Sequence, residues 1–228
     1  MNIPLSPRLQ ACCSLVSPGS RIADIGCDHG YLSIWLLKNG IARSAIAADI
    51  NEQPLLSAVR NAEKYGVRDK MEFCLSDGVA AVPRDFDTLI CAGVGADTMV
   101  SILTAAPWLQ SGSYKLILQC QSKPPMLRRY LSENGWRIAR EEVLRDGRFL
   151  YTVMAIDRKS VQPLTPGQWH FSPALLNHPT QETAEYYRRV LGKLRLAVAG
   201  RADPLEVAAL KELEALPDDH TFLKEETL

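Results

Sequence analysis

Residues 22–32 read IADIGCDHGYL and place Asp24, Gly26, Cys27, Asp28 and Gly30 in a turn between an apolar run and a helical pattern. Glycines at such a turn let the backbone approach a ligand that a Cβ would exclude. A dinucleotide fingerprint needs G-x-G-x-x-G, so that a pyrophosphate can rest on the helix N-terminus. Here the third position of that pattern is Asp28, and a carboxylate there repels pyrophosphate. Asp24 and Asp28 together suit a cationic ligand instead. S-adenosyl-L-methionine carries an ammonium group and a sulfonium, so methyl transfer is the chemistry to which the turn points.

Three further turns carry related signals. Asp49 closes the next apolar run, where a carboxylate accepts hydrogen bonds from both hydroxyls of a ribose. Asp77-Gly78 follows the third run and is placed to meet an adenine amine. The fourth ends at Ala92-Gly93-Val94-Gly95-Ala96, a second glycine-rich opening. Open α/β sheets bind ligands outside the carboxyl ends of their strands, so four such turns in register favour one cofactor crevice. The competing reading leaves Asp24 and Asp49 as caps of neighbouring helices.

Alternating strands and helices are needed to position these turns. Apolar runs at residues 21–25, 44–50, 70–75, 88–92 and 115–120 read as buried strands. Residues 31–39, 52–65, 96–104 and 125–134 carry a helical period. The alternation predicts βαβ units and a largely parallel sheet with helices on both faces. Asn51 stands where it can cap a helix from Glu52, and Gly40, Gly66 and Gly135 stand where left-handed residues close helices. Residues 136–144 and 149–157 are extended runs around Asp146-Gly147, a hairpin signal.

A parallel sheet ending in an antiparallel hairpin is common in methyltransferase sheets and unusual in dinucleotide-binding ones. The expected fold is α/β, a Rossmann-like class I S-adenosylmethionine-dependent methyltransferase sheet over residues 1–160. Prolines 163, 166, 173 and 179 mark residues 161–180 as a connection. Residues 181–199 and 204–216 then read as an antiparallel, coiled-coil-like pair of helices, a small domain over 181–217 that packs on the main one. Residues 218–228 are a loose acidic tail.

Hydrophobic residues make up 46% of the 228 and charged ones 23%, a globular composition. No apolar run reaches the ~18 residues of a membrane span. The N-terminal stretch lacks the basic and apolar regions of a signal peptide. A cytoplasmic location with no membrane partner is therefore expected; a monomer is the default, as the sequence does not show the oligomeric state. The six cysteines form no C-x-x-C pair and keep no ligand spacing with histidine, so no metal is expected; Cys74, Cys91 and Cys120 read as core thiols. Net charge is zero, yet residues 1–122 carry −1, residues 123–201 carry +7 and residues 202–228 carry −6. The basic middle is either a footprint for phosphate or a solvated helix face.

At these residues the chain resembles the bacterial tRNA adenine-N1 methyltransferases that modify position 22 in the D-arm. The likeness covers most of the chain. It includes Leu5-Ser6-Pro7-Arg8-Leu9, IADIGCDHGYL, residues 47–50, Ser76-Asp77-Gly78, residues 92–96 and Leu118-Gln119-Cys120-Gln121. The resemblance implies S-adenosyl-L-methionine held by Arg8, Asp24, Gly26, Cys27, Asp28, Gly30, Asp49, Ile50, Asp77, Gly78 and Gly93. It implies a reacting edge at Asp28, His29, Tyr31, Gly93 and Gly95. There His29 meets substrate or only hydrogen-bonds backbone, and Tyr31 stacks or packs. Arg8 meets the cofactor carboxylate or a phosphate, or pins an N-terminal helix. The implied partner is tRNA, its backbone tracked by Arg128, Arg129, Arg188, Arg189, Lys193 and Arg195.

The family typically has Gly-Met-Gly-Gly where this chain has Gly93-Val94-Gly95-Ala96, and a Gln-Pro-Asn-like turn near Gln119-Cys120-Gln121. A need for positive φ at position 96 would strain Ala96. Two other function classes stand beside this one. The first is a methyltransferase of the same fold acting on another RNA, a small molecule or a protein; the second is a non-catalytic assembly module.

Overall fold

The computed structural model describes residues 3–201 and 203–216; the acidic tail lies outside the described residues. Helix α1 (Pro7–Ser14) leads into β1 (Ser20–Ile25), α2 (Tyr31–Lys38), β2 (Ala42–Asp49), α3 (Glu52–Lys64) and β3 (Met71–Leu75). Then follow β4 (Thr88–Val94), α4 (Ala96–Thr104), β5 (Lys115–Cys120) and α5 (Pro124–Glu133). Strands β6 (Arg137–Asp146) and β7 (Phe149–Asp157) form the hairpin, and helices α6 (Pro166–His170), α7 (Pro173–Leu176), α8 (Gln181–Gly200) and α9 (Pro204–Glu214) complete the chain.

One sheet holds the strands in the order β3-β2-β1-β4-β5-β7-β6. Strands β1 to β5 are parallel, and β7 lies antiparallel between β5 and β6. The order reverses between β1 and β4, so their carboxyl ends diverge and leave a crevice. Alternate side chains along each strand face opposite sides. Ala23, Ile25, Leu89, Cys91, Leu116 and Leu118 pack against Met99, Leu103, Leu127 and Leu131 of α4 and α5. Ile22, Ala45, Ala47, Ile90 and Ile117 pack against Cys12, Ile34, Leu36, Ala58 and Ala62 of α1, α2 and α3. Burial on both faces explains why these strands read as continuous apolar runs.

Residues 161–180, read as a plain connection, fold into α6 and α7, because Phe171 and Leu175 are core side chains. They join Val143 of β6 with Tyr187, Leu191, Leu194, Ala209 and Leu213 in a third cluster. Each fully buried leucine there contributes roughly 1.5–3 kcal/mol, which seats the α8–α9 pair on the outer strands.

Arg128 is the clearest correction to the sequence reading. Expected to track a nucleic-acid backbone, it is wholly buried. Its Nε and Nη2 donate to Glu141, at 3.1 and 2.7 Å. Its Nη1 donates to the carbonyls of Trp169 and His170 at 3.0 and 2.9 Å, and Nη2 also reaches the Tyr186 hydroxyl. Ser172 Oγ donates to the other Glu141 oxygen. Burial pulls the guanidinium pKa down, but the Glu141 carboxylate outweighs it and holds Arg128 charged. One side chain thus joins α5, β6, the α6–α7 segment and α8. Removing one partner of such a pair leaves an uncompensated charge, at a cost of about 3–5 kcal/mol. Arg128→Ala should lose about that much in urea unfolding, whereas replacing Arg128 and Glu141 together by methionine should recover only part of it, because the carbonyls of Trp169 and His170 and the hydroxyls of Ser172 and Tyr186 lose their partners.

Candidate active site

Asp24 lies one residue before the end of β1 and is 3% exposed. Its side chain shares a face with Ile22 and accepts a 2.8 Å hydrogen bond from Ser33 Oγ, on the inner side of α2. Burial raises the Asp24 pKa, Ser33 opposes, and nearby Asp49 adds to the rise; the result is about 6, against 3.8 for a free aspartate. The turn that follows has positive φ at Gly26, Asp28 and Gly30. Gly30 is required on two counts: its φ is 73°, and a Cβ there would stand 2.9 Å from Ala58 Cβ. Asp28, at φ 50°, is the type of non-glycine residue that tolerates this conformation, at some cost in strain.

The second turn is tied to the first. Asp49 Oδ2 accepts from the Asp28 backbone N–H at 3.2 Å, and Oδ1 from that of Asn51 at 2.9 Å. Asn51 occupies the N-cap of α3 as expected, but its side chain makes no capping bond. Each Asp49 oxygen keeps a lone pair for a further donor. Ile50, beside it, is 61% exposed, an apolar surface at the crevice edge. Asp77 and Gly78 follow β3 and line a recess of about 250 Å³ with Ile102 and Trp108. Cys27 is buried under the turn.

Gly93 lies in a break in register between β4 and β5. Its φ of 82° releases its N–H from the strand ladder, and that N–H donates to Gln119 Oε1 at 3.1 Å. Gly95 is extended (φ −77°) and caps α4; a Cβ on it would meet Ser122 Oγ at 2.8 Å. Ala96 is the first, fully buried residue of α4. The feared strain at position 96 is absent, since the left-handed conformation falls on Gly93.

His29 and Tyr31 follow Asp28 at the start of α2. The His29 carbonyl accepts from Asn61, its Nε2 lies 3.6 Å from Asp28, and its ring is 6.1 Å from that of Tyr31. Tyr31 in turn packs edge-on against Tyr65. The contacts of Arg8 are to Asp146, at 3.4 Å, and to the Tyr151 ring. These contacts tie α1 to the β6–β7 hairpin.

A cleft of about 580 Å³ adjoins the end of β5, lined by Cys120, Gln121, Ser122 and Lys123, by Leu150 and Tyr151, and by α8 residues including Arg189 and Lys193. An adjoining recess of about 490 Å³ is lined by Arg129, Trp169, His170 and Arg201. Burial and the Arg128 charge both lower the pKa of His170, which borders the two cavities. Arg129 pairs with Glu133, Arg189 with Glu185 and Arg195 with Glu214 across the helical pair. Arg188 is exposed on α8 but lines neither cavity. Among the described residues, no carboxylate pairs with Lys193.

Cys91 and Cys120 are buried core thiols, Cys91 pushed up to about 12 by burial, whereas Cys74 is only half-buried. Among the described residues no cluster of three His, Cys, Asp or Glu could hold a metal ion, and no helix is long and apolar enough to cross a membrane. Gln119 and Gln121 were not singled out as site residues by the sequence. Their proximity to Gly93 arises only from the β4–β5 register.

Comparisons with known proteins converge on this architecture. A family described as a methyltransferase domain matches residues 5–154. The tRNA (adenine(22)-N(1))-methyltransferase of Bacillus subtilis is 31% identical over 157 residues, 68% of this chain and 66% of that protein. A candidate tRNA methyltransferase of Mycoplasma pneumoniae is 32% identical, covering 74% of this chain and 79% of that one. A candidate tRNA (m1A22) methyltransferase of Streptococcus pneumoniae, solved in complex with S-adenosyl-L-methionine, superposes with a TM-score of 0.81 at 28% identity, covering 92% of this chain and 98% of that one.

The raised Asp24 pKa has a direct consequence. Between about pH 4 and pH 6 the unfolded chain releases this proton while the folded one retains it, so Asp24 lowers stability as pH rises through that window. Asp24→Asn should match wild type in chemical unfolding near pH 4 and exceed it by on the order of 2 kcal/mol at pH 7.

Proposed function

From the premise that this chain belongs to the methyltransferase family that includes the tRNA (adenine(22)-N1)-methyltransferases, we propose that it transfers a methyl group from S-adenosyl-L-methionine to N1 of adenine 22 in the tRNA D-arm. The observation that carries this reading is the junction at Gly93. There an acid-lined crevice, suited to a cationic cofactor, adjoins a cleft rimmed by Arg189 and Lys193.

The residues fit the cofactor. Asp24, ionised at neutral pH and buried, faces an ammonium group, and Asp49 accepts from ribose hydroxyls. Exposed Ile50 offers an apolar face to adenine, and Asp77 stands beyond it for the exocyclic amine. When bound, S-adenosyl-L-methionine supplies an activated methyl group and leaves as a neutral thioether. Adenine N1 has a free lone pair in the neutral base, so this chain needs no strong general base. The role of its residues is alignment and exclusion of water. The bulged Gly93 backbone and the Gly95–Ser122 contact shape the wall at which the two ligands meet. The ring becomes cationic on transfer, and the carboxylates of the crevice favour that charge. In a paired stem N1 is hidden, so the base is extruded into the cleft.

Positive side chains at the cleft would hold phosphate. The ion pairs of Arg129 and Arg189 are half-exposed, worth about 0–1 kcal/mol, and readily exchanged for phosphate. Such contacts place the RNA without specifying the base.

Radiolabelled methyl transfer to unmodified tRNA should yield 1-methyladenosine; label in another nucleoside, or in protein alone, would sink this reading. Binding of tRNA should weaken between about 50 and about 200 mM salt, and Lys193→Glu should reduce the slope of log affinity against log salt by about one. S-adenosyl-L-methionine binding by calorimetry should be unchanged in that variant. In wild type it should weaken below about pH 6, as Asp24 takes up its proton.

A further inference from the structure

The register break at Gly93 fixes the orientation of two side-chain amides. A backbone N–H can only donate, so the Gln119 atom 3.1 Å from Gly93 N is its carbonyl oxygen. The Gln119 amino group then faces the Cys120 carbonyl, at 3.2 Å. The group of Gln121 that approaches Gln119 Oε1, at 3.4 Å, must donate and is therefore its amino group. A Cβ on Gly93 would lie 3.9 Å from this nitrogen, so the Gln121 amide sits directly against the bulge. By elimination, Gln121 Oε1 turns away from the network. No described residue donates to it. Gln121 is half-buried and lines the cleft at its β5 end.

We infer that Gln121 determines base specificity by accepting a hydrogen bond from the 6-amino group of the target adenine through Oε1. The inference rests on the methyltransferase reading above and names the residue that selects the base. Amino group and N1 are neighbours on the adenine ring, so a contact to one aligns the other. Guanine presents O6 at the same place, and two facing acceptors repel; its N1 also carries a proton. A glutamine amide is a recurrent partner of adenine edges for the same donor–acceptor reason. Sites built to bond a polar group reject analogues that lack it, because a buried acceptor is left unpaired.

The test uses the full chain and tRNA made with either adenosine or purine riboside, which lacks the 6-amino group, at the target position. Purine alters N1 reactivity equally for every variant, so the comparison of ratios isolates the contact. For wild type, the adenosine-to-purine ratio of kcat/KM should exceed that of Gln121→Ala by about five- to tenfold. Gln121→Met, which keeps length and loses the acceptor, should behave like Gln121→Ala, and both should bind S-adenosyl-L-methionine as wild type does. An unchanged ratio with an active wild type overturns the role of Gln121 and leaves the tRNA reading intact. A wild type that methylates no adenosine-containing tRNA overturns both.

Discussion

The buried pair of Arg128 and Glu141 sets the relation between the sheet and everything that follows it. A guanidinium offers five donors in a fixed fork, and here the fork is filled by a carboxylate, two helix-end carbonyls and a tyrosine hydroxyl. The carbonyls of Trp169 and His170 lie at the end of α6, where intrahelical partners run out. Desolvating two charges is costly enough that the pair adds little net stability over an apolar substitute. What it provides is direction. Apolar packing of α8 on β6 would tolerate sliding, whereas a fully bonded fork tolerates one setting. Since His170 and Tyr186 both touch Arg128 and both border the cleft, the width of that cleft follows from the pair.

The crevice on the other side of β5 is organised by the opposite principle. Asp24 is kept in the core with the neutral groups of Ser33 as its hydrogen-bond partners, and Asp28 holds a backbone conformation that most residues avoid. Both lower the stability of the isolated protein. A buried aspartate that ionises near pH 6 is poorly solvated, which makes it a strong partner for a cationic ligand that displaces water. The sheet tolerates the cost because the strands around it are packed on both faces, so the strain is confined to one turn.

Much of this was legible in sequence where the signal is local. The turn at Asp24–Gly30 announces itself through glycines and acids a few positions apart, and the strands through unbroken apolar runs. The β6–β7 hairpin was visible in Asp146-Gly147. Arg128 was misread because counting charges along a chain ignores partners: Glu141 is thirteen residues away and meets Arg128 only when β6 is paired into the sheet. Residues 161–180 looked like a linker because prolines open their helices at positions where no N–H is needed. Gln119 and Gln121 belong to the Leu118–Gln121 run that carries the resemblance, but nothing local shows what their side chains do. Their meaning comes from one skipped residue in the β4–β5 ladder, which no propensity or spacing reveals.

The same reasoning changes what the basic middle segment means. Its excess of +7 is a property of the sequence, but in the fold most of those cations already have carboxylate neighbours, including Arg137 with Asp157 and Arg145 with Glu185. A chain of zero net charge exerts little long-range attraction on a polyanion. Under the proposed function, recognition would rest on short-range exchange, with phosphates replacing Glu133 and Glu185 as the partners of half-exposed Arg129 and Arg189. Exchange of that kind works only within a few ångströms, where the shape of the cleft has already selected the ligand. Under the proposed function, Arg128 would act on nucleic-acid binding by holding that shape from inside the protein, not as one more cation on the surface.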